Sequence, residues 1–229
     1  YDVQAFDGEG NELAITRPDA HQWDIRGHDG TVRFTYKVYG DRVDGTYLGI
    51  DSTHAHINMP AALVWARGLE GRPAQVRFER PTGSMWQVAT QLYPSDDPLV
   101  FTAPNLQYLM DSPAEFSSFS LRTFTVADPS RVGGGPTFRL AVHHDGSEAQ
   151  LDRFAVDVET IVRESVAIFG EFPEYEPGTY TFIADYLRYA SGDGMEHRNS
   201  TVLTSSGSLE NQRRALLSTV AHELFHSWN

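Results

Sequence analysis

The first half of the chain alternates apolar and polar residues with the two-residue period of half-buried β-strands. The longest such run covers residues 31–39, and shorter runs cover residues 75–79, 86–92 and 116–126. Clusters of Gly, Pro, Asp and Ser, which favour turns, separate these runs. Short strands at this spacing predict a sandwich or an open antiparallel sheet in the N-terminal part of the chain.

The pattern changes after a Val-Gly-Gly-Gly-Pro break at residues 132–136. Beyond it, apolar residues recur at helical spacing in two segments and form short continuous runs in others. Gly170 and Pro173 are typical of the end of the first helix. The predicted elements are a strand over residues 137–143, a helix over 151–169, strands over 180–184 and 200–205, and a last helix from about Ser208 with Glu210 in its first turn.

These elements predict an α+β fold with two domains. A β-rich, sandwich-like domain is expected over residues 1–134, and a second domain, in which the last helix packs on a small sheet, over residues 135–229. The chain has 229 residues, of which 40% are hydrophobic, and this is ample for a packed core.

Composition excludes several classes of function. The chain has no cysteine, which excludes disulfides, thiolate metal sites and a cysteine nucleophile and is compatible with either cytoplasm or periplasm. The net charge of −13 argues against a nucleic-acid partner, and no apolar run is long enough for a membrane span. The chain opens at Tyr1 without an initiator Met or leader-like residues, so we expect the true N-terminus to be missing.

The last helix contains a His-Glu-x-x-His motif. His222 and His226 are four residues apart and therefore lie on one helix face, where both imidazoles can bind one ion. Glu223 flanks the same site and can accept a proton from water held there. This arrangement is typical of zinc peptidases, and the alternative is a pair of histidines on a helix without a metal. A catalytic zinc usually has three protein ligands, so either an upstream residue supplies the third or the chain is part of a longer protein.

A second group of candidate residues lies between two predicted strands, in what the composition predicts to be a polar loop at residues 192–201. It contains Gly194, Met195, Glu196 and His197, which we interpret as substrate-binding residues. Glu196 is of the right type to hold the ammonium group of a peptide substrate, which would lie along an exposed strand edge.

The Gly-Met-Glu-His-Arg-Asn-Ser-Thr run from Gly194 and the Ala-His-Glu-Leu-Phe-His-Ser-Trp-Asn run from Ala221 resemble the glycyl-aminopeptidase-type family of zinc peptidases, relatives of aminopeptidase N and thermolysin-like enzymes. The Asp-Ser-Pro segment at residues 111–113 is similar as well. The resemblance implies a β-rich N-terminal domain followed by the N-terminal half of a thermolysin-like catalytic domain. Met195 and Asp193 depart from the family's usual Gly-Gly-Leu-Glu-His pattern.

The resemblance also implies a glutamate as the third zinc ligand and a tyrosine beside the reacting carbonyl, both downstream of Asn229. We therefore expect a fragment of a zinc aminopeptidase that removes small N-terminal residues, Gly or Ala, from peptides. The fragment alone should bind Zn²⁺ weakly or not at all, be inactive, and expose apolar surface through which it could dimerise. The alternative is a non-catalytic peptide-binding module with a degenerate peptidase domain.

Two further histidine pairs, His54 with His56 and His143 with His144, could bind a metal. Packed or solvated histidines explain both pairs more simply. Asp111 is expected to be a turn residue, and Trp228 to pack at the end of the last helix.

Overall fold

The computed structural model describes residues 1–131 and 133–229. Val132, the first residue of the expected break, lies outside the described residues. The chain divides into two compact units, Tyr1–Tyr39 and Gly40–Asn229. The boundary predicted at residues 134/135 from the change in pattern remains a prediction.

The first unit contains two antiparallel strand pairs. They are β1 (Gln4–Phe6) with β4 (Arg33–Thr35), and β2 (Ala14–Asp19) with β3 (Gln22–Arg26). The long strand predicted over residues 31–39 is thus only three residues long. The alternation of residue types is present, but β1 offers partners only to Arg33–Thr35.

Two antiparallel sheets open the second unit. The first has the order β5 (Leu48–Ile50), β6 (His54–Ile57), β11 (Ala114–Ser117), β8 (Gln87–Thr90), and the second the order β7 (Ala74–Arg77), β10 (Val100–Ala103), β9 (Tyr93–Pro94). The two sheets share one hydrophobic core. It contains Phe116 from the first sheet, Phe101 from the second, and the adjoining Phe78 and Trp86. The Phe78 ring lies 5.9 Å from that of Phe101 and 5.4 Å from that of Phe116. The same part of the chain also contains two short helices, α1 (Met59–Ala62) and α2 (Leu106–Met110).

A mixed five-stranded sheet follows. Its order is β12 (Ser120–Thr125), β13 (Thr137–His144), β14 (Thr179–Tyr186), β16 (Ser200–Ser205), β15 (Asp193–His197). The three central strands run parallel, and β12 and β15 are antiparallel edges. β14 and β16 are buried along nearly their whole length and β13 along its middle, so their centres carry short apolar runs.

Two helices cover this sheet. Helix α3 (Glu148–Phe169) begins in a capping box formed by Ser147 and Gln150 and ends at Gly170 in a left-handed conformation, φ 82°. Helix α4 (Arg213–Phe225) continues into a 3₁₀ turn, His226–Trp228. The largest core cluster lies under both helices and includes Phe138, Phe154, Phe182, Val220 and Leu224.

The structure corrects several predicted boundaries. Residues 116–126 form two strands, β11 and β12. The last helix begins at Arg213 rather than near Ser208, because Ser208 accepts a hydrogen bond from Asn211 N in a preceding turn. Glu210 therefore lies before the helix, where it accepts from Gln150 Nε2 at 2.7 Å. The polar loop predicted at residues 192–201 contains the edge strand β15.

The predicted α+β class with a β-rich N-terminal part is confirmed. Within residues 1–131 and 133–229, no helix combines the length and the apolar character that crossing a bilayer requires.

Candidate active site

Helix α4 brings the two histidines of the motif together. His222 Nε2 and His226 Nε2 lie 3.4 Å apart, and the ring centroids are separated by 5.1 Å. Leu216, Val220 and Leu224 recur every four residues and are buried, so they fix the rotation of the helix. The histidines consequently lie away from the core, His222 exposed and His226 half-buried.

Glu223 lies between this exposed face and the core, with only 5% of its surface exposed. Its Oε2 atom has no hydrogen-bond partner among the residues that the structure describes. Burial raises the pKa of the Glu223 carboxyl, while His222 lowers it and Glu196 raises it further. A buried carboxylate oxygen without a partner is poised to accept a proton or a hydrogen bond from a bound molecule.

The close approach of α4 to β15 depends on Gly194. A methyl group built on Gly194 would overlap Glu223 Oε1 and would lie 2.7 Å from its Cδ and 2.9 Å from its Cγ. Only glycine permits this contact between strand and side chain. Gly194 therefore faces α4.

Alternation along β15 puts Glu196 on the same face as Gly194. Ligand atoms of Glu196, Glu223 and His226 all lie within 4.8 Å of one another. Glu196 is exposed, so its carboxylate borders the site of His226 on the solvent side.

The other predicted substrate residues, Met195 and His197, alternate to the opposite face of β15. His197 Nδ1 lies 2.9 Å from Asp111 Oδ1, so its ring is held by the Asp-Ser-Pro segment rather than by the zinc motif. Met195 contributes its backbone carbonyl, which accepts from Thr201 Oγ1 at 2.9 Å. Asp193 accepts a hydrogen bond from Gly45 N through Oδ2 at 2.9 Å.

Sequence reasoning missed the pairing of Asp111 with His197, since 86 residues separate them and Asp111 has the composition of a turn. The packing of Trp228 at the helix end agrees with the prediction. Its ring stacks on Phe169 at 4.6 Å, and its Nε1 donates to Glu171 O at 2.7 Å.

The side chains present fit a zinc ion. Two imidazole nitrogens 3.4 Å apart match two adjacent ligands of a tetrahedral zinc, whose bonds of about 2.0–2.1 Å separate neighbouring ligand atoms by about 3.3–3.4 Å. His222 and His226 would hold the metal, and the buried acceptor of Glu223 lies beside them.

Comparison with known proteins concerns the family and the fold of the chain. The peptidase M61 N-terminal domain matches residues 1–118, slightly more than half of the chain. A crystal structure of an aminopeptidase N family protein from Idiomarina loihiensis superposes with a TM-score of 0.83 at 23% identity, covering 99% of this chain and 39% of that one. Yeast LTA4 hydrolase in complex with bestatin superposes with a TM-score of 0.53 at 18% identity, covering 100% of this chain and 36% of that one. No curated protein matched by sequence.

The chain therefore shares its fold with part of each of these two structures. The chain belongs to the peptidase M61 family. It spans less than two fifths of the length of these two structures.

The contact at Gly194 can be tested by substitution. Gly194→Ala should lower the free energy of unfolding by about 1–3 kcal/mol, because the added methyl group must displace Glu223 or the helix. Urea unfolding followed by circular dichroism measures this.

Gly192→Ala is the matched control. The added methyl group there meets no atom within 4 Å among the described residues, and the change in stability should stay within about 0.5 kcal/mol. Equal stability of the two variants would contradict the close approach of α4 to β15.

Proposed function

We propose that this chain is part of a zinc aminopeptidase that removes small N-terminal residues, Gly or Ala, from peptides. The observation that supports it best is that His226 Nε2 lies 3.4 Å from His222 Nε2, while ligand atoms of His226, the buried Glu223 and the exposed Glu196 all lie within 4.8 Å of one another. Residues 135–229 would form the first part of a thermolysin-like catalytic domain. A zinc ion bound here supplies a Lewis acid for the scissile carbonyl group.

In this proposal Glu223 is the general base. Its buried oxygen accepts the proton of the attacking water and then passes that proton to the leaving amine. Burial favours this task because a desolvated carboxylate binds a proton more readily than an exposed one.

Strand β15 would hold the peptide. It forms one edge of the five-stranded sheet, and an extended substrate can add to such an edge through backbone hydrogen bonds. Glu196 would pair with the substrate's free ammonium group, because its carboxylate lies on the same face as Gly194 and beside His226. This pairing would set the register and limit cleavage to one N-terminal residue per cycle.

A third zinc ligand is needed beyond the two histidines. Because Glu196 is assigned to the ammonium group and Glu223 to proton transfer, we propose that a glutamate outside residues 1–229 supplies it. Residues 1–229 alone would then hold zinc weakly at this site and hydrolyse substrate poorly.

The role of Glu223 is testable in a protein that joins this chain to the sequence supplying the third ligand. Glu223→Gln should lower kcat for Gly- and Ala-p-nitroanilide by about 10²–10⁴-fold, because glutamine cannot accept the proton. Zinc content should be unchanged, as the variant keeps both histidines. Equal activity of wild type and variant would exclude the aminopeptidase, and absence of activity in both would favour a peptide-binding module.

Glu196→Gln tests the ammonium site. The same protein should lose about 10–100-fold in kcat/KM for substrates with a free amine, as expected for a lost charge-assisted hydrogen bond. N-acetylated analogues lack the ammonium charge, so their slower hydrolysis should not respond. The ratio of the hydrolysis rates of free-amine and N-acetylated substrates decides the matter. If this ratio stays at the wild-type value in Glu196→Gln, Glu196 does not select the amine.

Zinc titration of residues 1–229 tests the missing ligand. Wild type and the double variant His222→Ala, His226→Ala should bind the same number of tight zinc equivalents by calorimetry, because two imidazoles alone make a weak site. One additional tight equivalent in wild type would mean that a residue of this chain completes the set. Loss of that equivalent in Glu196→Gln would identify Glu196 as the ligand.

A further inference from the structure

A cluster of ionisable side chains lies within the second unit, where the four-stranded and five-stranded sheets contribute one strand pair each. His54 on β6 and Glu115 on β11 come from the first sheet, and His143 on β13 and Asp185 on β14 from the second. His54, Glu115 and Asp185 are fully buried, and the His143 side chain is 18% exposed. The active-site proposal uses none of them.

Four atoms of these side chains converge. His54 Nδ1 lies 3.5 Å from Glu115 Oε1 and 3.4 Å from Asp185 Oδ1. His143 Nδ1 lies 3.8 Å from the same Glu115 oxygen and 3.5 Å from the same Asp185 oxygen. Each nitrogen thus approaches both oxygens about equally, as atoms do around a shared centre.

These separations exceed the usual hydrogen-bond distance of about 2.7–3.2 Å, and none of the four contacts has hydrogen-bond geometry. They suit the edges of a coordination tetrahedron. A regular tetrahedron with edges of 3.4–3.8 Å has its centre about 2.1–2.3 Å from each corner, close to the zinc–nitrogen and zinc–oxygen distances of about 2.0–2.2 Å. The four nitrogen–oxygen separations correspond to four of its six edges, and all the ligand atoms of the cluster lie within 4.8 Å of one another.

The converging atoms approach one another at ion-pair distances but form no hydrogen bonds with one another. Among residues 1–131 and 133–229, none of the four has a hydrogen-bond partner of acceptable geometry, and neither has the second oxygen of Glu115. Within the described part of the chain, Glu115 has no hydrogen bond that would offset the cost of burying its carboxylate, and a bound cation would compensate that cost.

The outer nitrogen of His54 is held as it is in many metal-bound histidines. The Tyr189 hydroxyl donates to Asp51 Oδ2 at 2.8 Å, and its oxygen lies 3.3 Å from His54 Nε2. Because the hydroxyl hydrogen points to Asp51, the oxygen can accept from His54 Nε2–H. With this proton on Nε2, a neutral His54 would direct the lone pair of Nδ1 into the cluster.

Asp185 is held from behind in the same way. His56 Nε2 lies 2.9 Å from the Asp44 carbonyl, to which it donates, and His56 Nδ1, when protonated, forms an ion pair with Asp185 Oδ2 at 2.7 Å. The contact with Oδ2 leaves Oδ1 as the oxygen that faces the two imidazoles. Support by outer residues of this kind is characteristic of ligands in metal sites.

We propose that this cluster is a binding site for a tetrahedrally coordinated divalent cation of the zinc class, with the ligands His54, Glu115, His143 and Asp185. Two carboxylates balance the charge of the cation, and two neutral imidazoles complete four-fold coordination. The partly exposed His143 gives the ion a route of entry. With all four positions filled by protein, the ion joins two sheets and has a structural role.

The test uses residues 1–229 with His222→Ala and His226→Ala, so that failure of the active-site proposal cannot affect it. After treatment with EDTA and dialysis against zinc, this variant should retain one zinc per chain by elemental analysis. Cobalt(II) in its place should give the intense visible absorption of a tetrahedral site. Adding His54→Asn and His143→Asn should abolish both signals.

Tyr189→Phe in the same background keeps the test informative if the four-fold variant does not fold. Tyr189 is 58% exposed, so the substitution should be tolerated. Zinc affinity should fall by about 10–100-fold because the outer support of His54 is lost. Tyr39→Phe, at a 78% exposed position, is the control and should bind zinc as tightly as its parent.

Absence of bound zinc in the His222→Ala, His226→Ala protein would overturn the proposal. So would equal zinc affinity in the two tyrosine variants, or zinc retention after His54→Asn and His143→Asn.

Discussion

The candidate active site depends on the absence of one side chain, at Gly194. Because β15 has no Cβ there, Glu223 lies against the strand with its carboxylate buried. That contact brings α4 close enough for His226 and Glu196 to share a site. A larger residue at Gly194 would displace Glu223 or the helix and so separate the proposed general base from the strand that is proposed to hold the peptide.

Much of this site could be predicted from local spacing. His222 and His226 share a helix face wherever the segment is helical, and the apolar period of Leu216, Val220 and Leu224 predicts that helix. The strand character of β15 could not be predicted, since the polar run around Gly194 lacks alternation. The strand forms because Val202 and its neighbours on β16 provide backbone partners for β15. The sequence of β15 alone does not show a strand pattern.

The histidine–carboxylate cluster lay beyond sequence reasoning for another reason. The four side chains of the cluster lie on strands of two different sheets, and they are far apart in the sequence. The histidines pair differently in space than in sequence: His143 joins His54 at a ring separation of 4.6 Å. His144 turns away and accepts a hydrogen bond from Gly146 N at 3.0 Å. From the sequence alone, nothing distinguishes Glu115 and Asp185 from other strand residues, because the contact between the two sheets is not known.

The two sites differ in burial, and this difference fits their proposed roles. Glu196 and His222 are exposed, as groups that receive a substrate must be. Glu115 and Asp185 are fully buried, where desolvation makes an uncompensated charge costly and a bound ion favourable. An open ligand position suits catalysis, whereas four protein ligands suit a structural ion.

One peptide connects the two sites. The Asp44 carbonyl accepts from His56, which holds Asp185, while the next amide, Gly45 N, donates to Asp193 beside Gly194. The Asp44 carboxylate accepts from the amides of Thr46 and Tyr47 at 2.9 and 2.8 Å, so this turn is well fixed. Asp185 and Asp193 also pair with the same residue of β16, Thr204. A cation that fixes Asp185 would therefore also restrain the start of the edge strand, because rigid elements and hydrogen bonds carry such restraints over short distances.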